Sequence, residues 1–215
     1  MRRAAAPAPP APPALLVAVL VAVLVAACGG VTGSPAPSGV CSGDVKAPGT
    51  YPDLEALLPR GMIERSPDTV DSGRNCTPTS LGTYTAHGLT ELRFAGATWQ
   101  YGNGNGTVVA ILRRPLIDAA PLDVAWVEEF YTAGALAAKH TEDIKTSRPT
   151  MPGAGQVLRL EALNDLSLQT IVIWSAAPYV RVVIVATTVE PSASRAEHDQ
   201  RVQTAVEVAA AVPIP

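Results

Sequence analysis

Histidines, aromatic side chains and charges are scarce in this chain, and each shortage removes a class of function. There are three histidines and three cysteines in 215 residues. None of the histidines stands in HExxH or HxH spacing and no CxxC occurs, so the familiar nitrogen and thiolate zinc cages are excluded. No GxSxG is present, which removes the strand–turn–helix elbow that exposes a hydrolase serine. Charged residues make up 16% of the chain, without basic clusters, and the formal net charge is −3. That balance argues against nucleic acid as a partner and against adhesion to anionic headgroups through a polybasic segment. Long apolar runs are missing too, with one partial exception. Ala14 to Ala27 is unbroken Ala, Leu and Val, but as a helix it rises only about 21 Å, short of the roughly 30 Å hydrocarbon core of a bilayer.

That run has the length of the apolar region of a secretory signal, and Arg2 and Arg3 supply the positive start such signals carry. It ends Val25-Ala26-Ala27-Cys28, followed by Gly29-Gly30. This resembles the lipobox of bacterial lipoprotein precursors, in which an aliphatic residue and two small residues precede the cysteine that becomes acylated and N-terminal. The resemblance implies cleavage before Cys28, lipid on its thiol, and attachment to the extracytoplasmic face of the cell membrane. A plain secretory signal with an incidental cysteine is the alternative. Loss of Arg2 and Arg3 makes the remaining chain more acidic still. An odd number of cysteines in an exported protein needs an explanation. Lipid on Cys28 leaves Cys41 and Cys76, which form a disulfide in an oxidising compartment. Closing that loop of about 36 residues constrains the unfolded chain by roughly 3–4 kcal/mol. Two free thiols are the alternative.

The chain divides accordingly into a lipoprotein signal peptide (1–27), a tether (28–40) and a single α+β domain (41–215). The tether is rich in Gly, Ser and Pro, and such a composition cannot bury enough apolar surface to order itself. Pro52 to Leu58 reads as a short helix ended by Pro59. Thr77 caps a second helix that Gly88 stops. Leu92 and Phe94 alternate, as do Ala97, Trp99 and Tyr101, but out of phase across Ala95-Gly96, where one extra residue predicts a β-bulge. Gly102 to Gly106 resembles a phosphate-binding loop in composition, yet a β-branched strand follows it rather than a helix N-terminus, so it reads as a hairpin turn. Asp123 caps a helix to about His140, with Trp126, Phe130, Ala133 and Ala137 on one face and Val127 and Tyr131 beside them. Three strands follow, near 158–162, 168–175 and 179–187, with Asn164-Asp165 as a turn. Ile171 to Trp174 and Val182 to Val185 are apolar on both faces, as central strands are. Ser194 and Glu197 make a capping box for a last helix with Val202, Ala205, Val206 and Ala209 inward. The expected sheet is five-stranded and largely antiparallel, in the order ββ-α-βββ-α, packed by helices and preceded by a short helical segment.

Element order over about 90–212 resembles that of the PsbP-like sandwich of actinobacterial lipoproteins, which implies a binding or accessory module rather than an enzyme. Val70-Asp71-Ser72-Gly73 resembles the aspartic-protease signature, but that chemistry needs two such aspartates. Only one is present, followed by Arg74, and the segment reads as a turn before Cys76. His87 and His140 fall at helix C-termini, and His198 falls on a solvated first turn. His140 to Asp143 sets acids beside a histidine in what reads as a solvated loop. Trp99 and Tyr101, on the bulged strand, are the candidate ligand contacts. No catalytic residue, metal or cofactor is expected. The partners implied are the membrane, through the lipid, and a protein or small molecule. A lipid carrier and an envelope hydrolase with an unrecognised site are the alternatives.

Overall fold

The structure is a computed structural model that describes residues 39–115, 120–164, 167–189 and 195–215. Its centre is one antiparallel sheet of eight strands: β1 (Val45–Ala47), β2 (Thr69–Asn75), β3 (Leu92–Gly102), β4 (Asn105–Arg113), β5 (Thr141–Ser147), β8 (Leu158–Asn164), β9 (Ser167–Ala176) and β10 (Tyr179–Thr188). Their order across the sheet is β1-β2-β3-β4-β10-β9-β8-β5. A separate two-stranded pair, β6 (Thr150–Met151) and β7 (Gly155–Gln156), lies between β5 and β8 in the chain. The helices are α1 (Pro52–Glu55), α2 (Pro78–Leu81), α3 (Val124–Ala137) and α4 (Arg195–Ala210), with a 3₁₀ segment Gly82–His87 after α2. The fold is thus α+β with a large antiparallel sheet, but the sheet has eight strands rather than five.

All five expected strands are present, and of the additional ones in the large sheet β2 and β5 are mostly polar. Asp71-Ser72-Gly73 is not a turn: it lies inside β2, paired with β1 on one side and β3 on the other. Its composition disfavours a strand, and pairing on both edges overrides that preference. Gly73 is required there, because a Cβ would sit 1.9 Å from the Val45 carbonyl oxygen. The supposed loop after His140 is β5, which among the described residues is an edge strand paired with β8. Its register breaks between Glu142 and Lys145, with Asp143 at φ 51°. Charges and an irregularity on an exposed edge discourage strand addition.

The two faces of the sheet carry separate cores. Tyr51, Leu54, Ala95, Ala97, Trp99, Val109, Ile111, Val172, Val183 and Val185 pack with Val202, Ala205 and Val206 of α4. On the other face Leu92, Phe94, Val108, Ala110, Leu160, Ile171, Ile173, Val182 and Ile184 pack with Leu81, Tyr84, Val127 and Tyr131. This explains the phase change in β3. Leu92 and Phe94 face one core while Ala95, Ala97 and Trp99 face the other, and the ladder to β4 runs unbroken through Ala95-Gly96. The predicted bulge there is absent. The irregularity lies between Gln100 and Gly102 instead. β9 and β10 are interior strands, as their two apolar faces require.

Local signals set the boundaries. The Ala125 N–H donates to Asp123 Oδ1 at 2.8 Å, capping α3. The buried stripe of α3 is Val127, Tyr131 and Ala135, one position round from the stripe predicted, and the helix ends at Ala137. Trp126 and Phe130 instead flank the 3₁₀ segment, where Phe130 stacks on Tyr84 at 4.9 Å. The Ser80 N–H donates to Thr77 Oγ1 at 3.2 Å, so Thr77 caps α2, but this helix lasts only four residues before the chain tightens into the 3₁₀ segment. Asn103 and Gly104, at φ 49° and 77°, make the two-residue turn of the β3–β4 hairpin, with the twist such hairpins need. Val202, Ala205, Val206 and Ala209 are the buried stripe of α4 as expected. Ser194 of the proposed capping box, Asp165 of the proposed turn, Cys28 and the tether up to residue 38 lie outside the described residues.

Candidate functional site

Cys41 and Cys76 are joined by a disulfide with a Cα–Cα distance of 5.6 Å. Asp44 organises the chain beside it. Its carboxylate accepts from the Cys76 and Thr77 N–H groups at 2.7 and 3.0 Å and from the hydroxyls of Thr77 and Ser80. Burial opposes ionisation of Asp44, but these four donors outweigh it and hold the carboxyl below its ordinary range.

His198 is a buried and strongly perturbed group between α4 and the sheet. It sits four residues before Val202 and so shares the buried face of α4, where it exposes 1% of its surface. The expectation that it is solvated is therefore wrong. A histidine is tolerated there because the sheet meets both ring nitrogens. Nε2 lies 2.7 Å from Thr170 Oγ1 and Nδ1 2.9 Å from Thr187 Oγ1. A neutral ring has one donor and one acceptor, and a hydroxyl can serve either. Desolvation pushes its pKa down to about 4, with Asp199 and Glu161 opposing and Arg195 and Arg159 reinforcing the shift.

Around this histidine runs a belt of ion pairs. Arg159 contacts Glu161 at 2.9 Å and also Asp199, while Arg195 contacts Glu161 and lies 3.4 Å from Asp199. A pocket of about 70 Å³ opens there, lined by Lys145, Glu161, Thr170, Arg195 and His198 among others. It has room for a few waters. Chemically the arrangement holds α4 on the sheet. A general base needs a partner to accept its proton and a nucleophile to activate. Among the described residues the groups bonded to this ring are two threonine hydroxyls, and neither is a carboxylate.

A wider groove of about 280 Å³ lies at the start of α3, lined by Val124, Ala125, Glu128, Arg148, Leu158 and Ile173 among others. Arg148 and Glu128 pair at 2.8 Å on its wall. Trp99 and Tyr101 line neither pocket. Trp99 is wholly buried, and its indole N–H donates to the Arg65 carbonyl at 3.1 Å. Tyr101 is half-buried at the register irregularity, with the Arg65 guanidinium 5.7 Å from its ring centroid. Trp99 is therefore a core residue, and Tyr101 alone of the two reaches the surface.

The histidines stand on separate elements, as the sequence indicates. His87 stacks on Trp126 at 4.6 Å and lies 2.7 Å from Glu129, which ties the 3₁₀ segment to α3. Among the described residues no group of three or more His, Cys, Asp or Glu is placed to hold a metal ion, and no helix is long and apolar enough to cross a membrane. No family model matches the chain, and no characterised protein or solved structure aligns with it significantly.

Proposed function

We propose that this chain is a lipid-anchored, extracytoplasmic lipoprotein whose domain is a non-catalytic binding or accessory module at the cell envelope. The observation that carries the anchor is the Cys41–Cys76 bond. It uses two of the three cysteines and leaves Cys28, at the end of the Val25-Ala26-Ala27-Cys28 motif, as the odd one. A disulfide is also the chemistry of an oxidising compartment. The non-catalytic reading is supported by His198, whose two ring nitrogens are committed to buried hydroxyls. The membrane is then the partner through the lipid, and the domain presents its surface to a protein or small molecule.

Two measurements test the two halves of this reading. Mass spectrometry of the mature chain is expected to show a first residue Cys28 carrying the mass of its lipid. An unmodified N-terminus elsewhere would remove the anchor. The purified chain is expected to leave ester, peptide and glycoside substrates untouched. Sustained turnover that disappears in His198→Gln would make the domain an enzyme.

A further inference from the structure

Three arginines far apart in sequence are brought side by side by strand register. Arg74 on β2 is directly opposite Arg93 on β3, and Arg93 is directly opposite Arg113 on β4. Residues directly opposite on neighbouring strands share a face, so the three side chains form one row across the sheet. Arg74 and Arg113 each expose 6% of their surface, and the Arg93 side chain exposes 17%. Like charges opposite one another destabilise a sheet, and burial makes the repulsion worse.

The compensation within the protein is incomplete. Arg93 pairs with Glu91 at 2.7 Å and Arg113 with Asp53 at 2.9 Å, and Asp53 is 55% exposed. Among the described residues no carboxylate pairs with Arg74: its guanidinium donates to the Gly39 and Val40 carbonyls. Glu55, nearby in sequence to Asp53, is committed to the Ser72 hydroxyl and the Gly49 N–H. Arg113 also keeps a buried Nε–H that meets no acceptor among the described residues. Buried donors normally find partners, so such an orphan points to a missing one. Tyr51 completes the setting. Arg93 lies 5.2 Å over its ring, and Arg74 and Arg113 both act electrostatically on its hydroxyl.

We propose that the Arg74–Arg93–Arg113 row is a binding site for a phosphate-type oxyanion, with Tyr51 beside it and the Arg113 Nε–H as an open donor. Planar guanidinium forks match such an anion's oxygens, and several can share one group. The exposed Asp53 is the carboxylate the anion displaces. Arg74 grips the chain at Gly39-Val40, where the tether joins the domain. The same chemistry therefore fits a free phosphate or the phosphodiester of a lipid headgroup at the anchoring membrane. The inference rests on the binding half of the function proposed above and not on the lipid anchor.

The test is an NMR titration of the arginine Nε–Hε resonances of the full chain in maltoside micelles, at fixed ionic strength. Inorganic phosphate is expected to move the Arg113 resonance saturably below 1 mM, with chloride as the control. Arg93→Gln is expected to weaken that binding at least tenfold, while Arg148→Gln, at the distant groove, leaves it unchanged. Short-chain phosphatidylglycerol added in place of phosphate separates the sources. Competition with phosphate assigns the site to a headgroup, and phosphate binding without it assigns a free anion. If neither probe moves the Arg113 resonance beyond the chloride control, the site is overturned. The wild-type titration decides this even where a variant fails to fold. Loss of the site would leave the mass of the mature N-terminus, and hence the anchor, unaffected.

Discussion

Lowering the pH should weaken this domain through His198. Burial drives the pKa of His198 from 6.5 down to about 4 in the folded chain. The unfolded chain therefore binds a proton that the folded chain refuses over that whole interval. Stability is complete above pH 6.5 and falls as the pH drops through the window toward 4. Each unit of displacement is worth about 1.4 kcal/mol, so the loss across the window is up to about 3 kcal/mol. That is a large share of the roughly 5–15 kcal/mol by which domains of this kind are stable. The neighbours facing the ring are Asp199, Glu161, Arg195 and Arg159. Urea unfolding at pH 7.0, 6.0 and 5.0 measures the slope. His198→Gln keeps a donor and an acceptor for Thr170 and Thr187 but cannot titrate. Its stability should be lower at pH 7 and nearly flat over the same range. Parallel slopes for the wild type and the variant would refute the argument.

Three further outcomes follow from local geometry. Replacing both Cys41 and Cys76 with Ser should cost roughly 3–4 kcal/mol by the chain-entropy account, read as a lower urea midpoint that reducing agent reproduces in the wild type. Gly73→Ala should detach β1 from β2, because the new Cβ meets the Val45 carbonyl at 1.9 Å; amide exchange at Val45–Ala47 should rise, and unchanged protection would contradict it. Asp123→Ala should remove the cap of α3 and cost about 1 kcal/mol, measured by thermal unfolding, with Asp123→Asn recovering most of the loss.

What the sequence made legible was what is written locally. The Asp123 cap, the Asn103-Gly104 hairpin and the stripe from Val202 to Ala209 each depend on a few neighbouring residues, and each is where it was expected. The apolar runs of β9 and β10 likewise announce interior strands. What stayed hidden depends on partners distant in the chain. β2 has the composition of a turn and is a strand because β1 and β3 flank it. β5 is polar because it is an edge. The change of phase at Ala95-Gly96 has the same signature whether a strand bulges or is buried on both faces, and only the second core distinguishes them. His198 looked solvated because its hydroxyl partners lie 28 and 11 residues away. The arginine row is invisible without register, since nothing in the sequence spacing sets Arg74, Arg93 and Arg113 opposite one another.

The central claim is the anchor at Cys28, and the most direct measurement is detergent-phase partitioning of Cys28→Ala beside the wild type in a producing bacterium. The wild type should enter the detergent phase at its mature size. The variant should appear in the aqueous phase or persist as the uncleaved precursor. A variant that matures and partitions with the membrane as the wild type does would contradict the account.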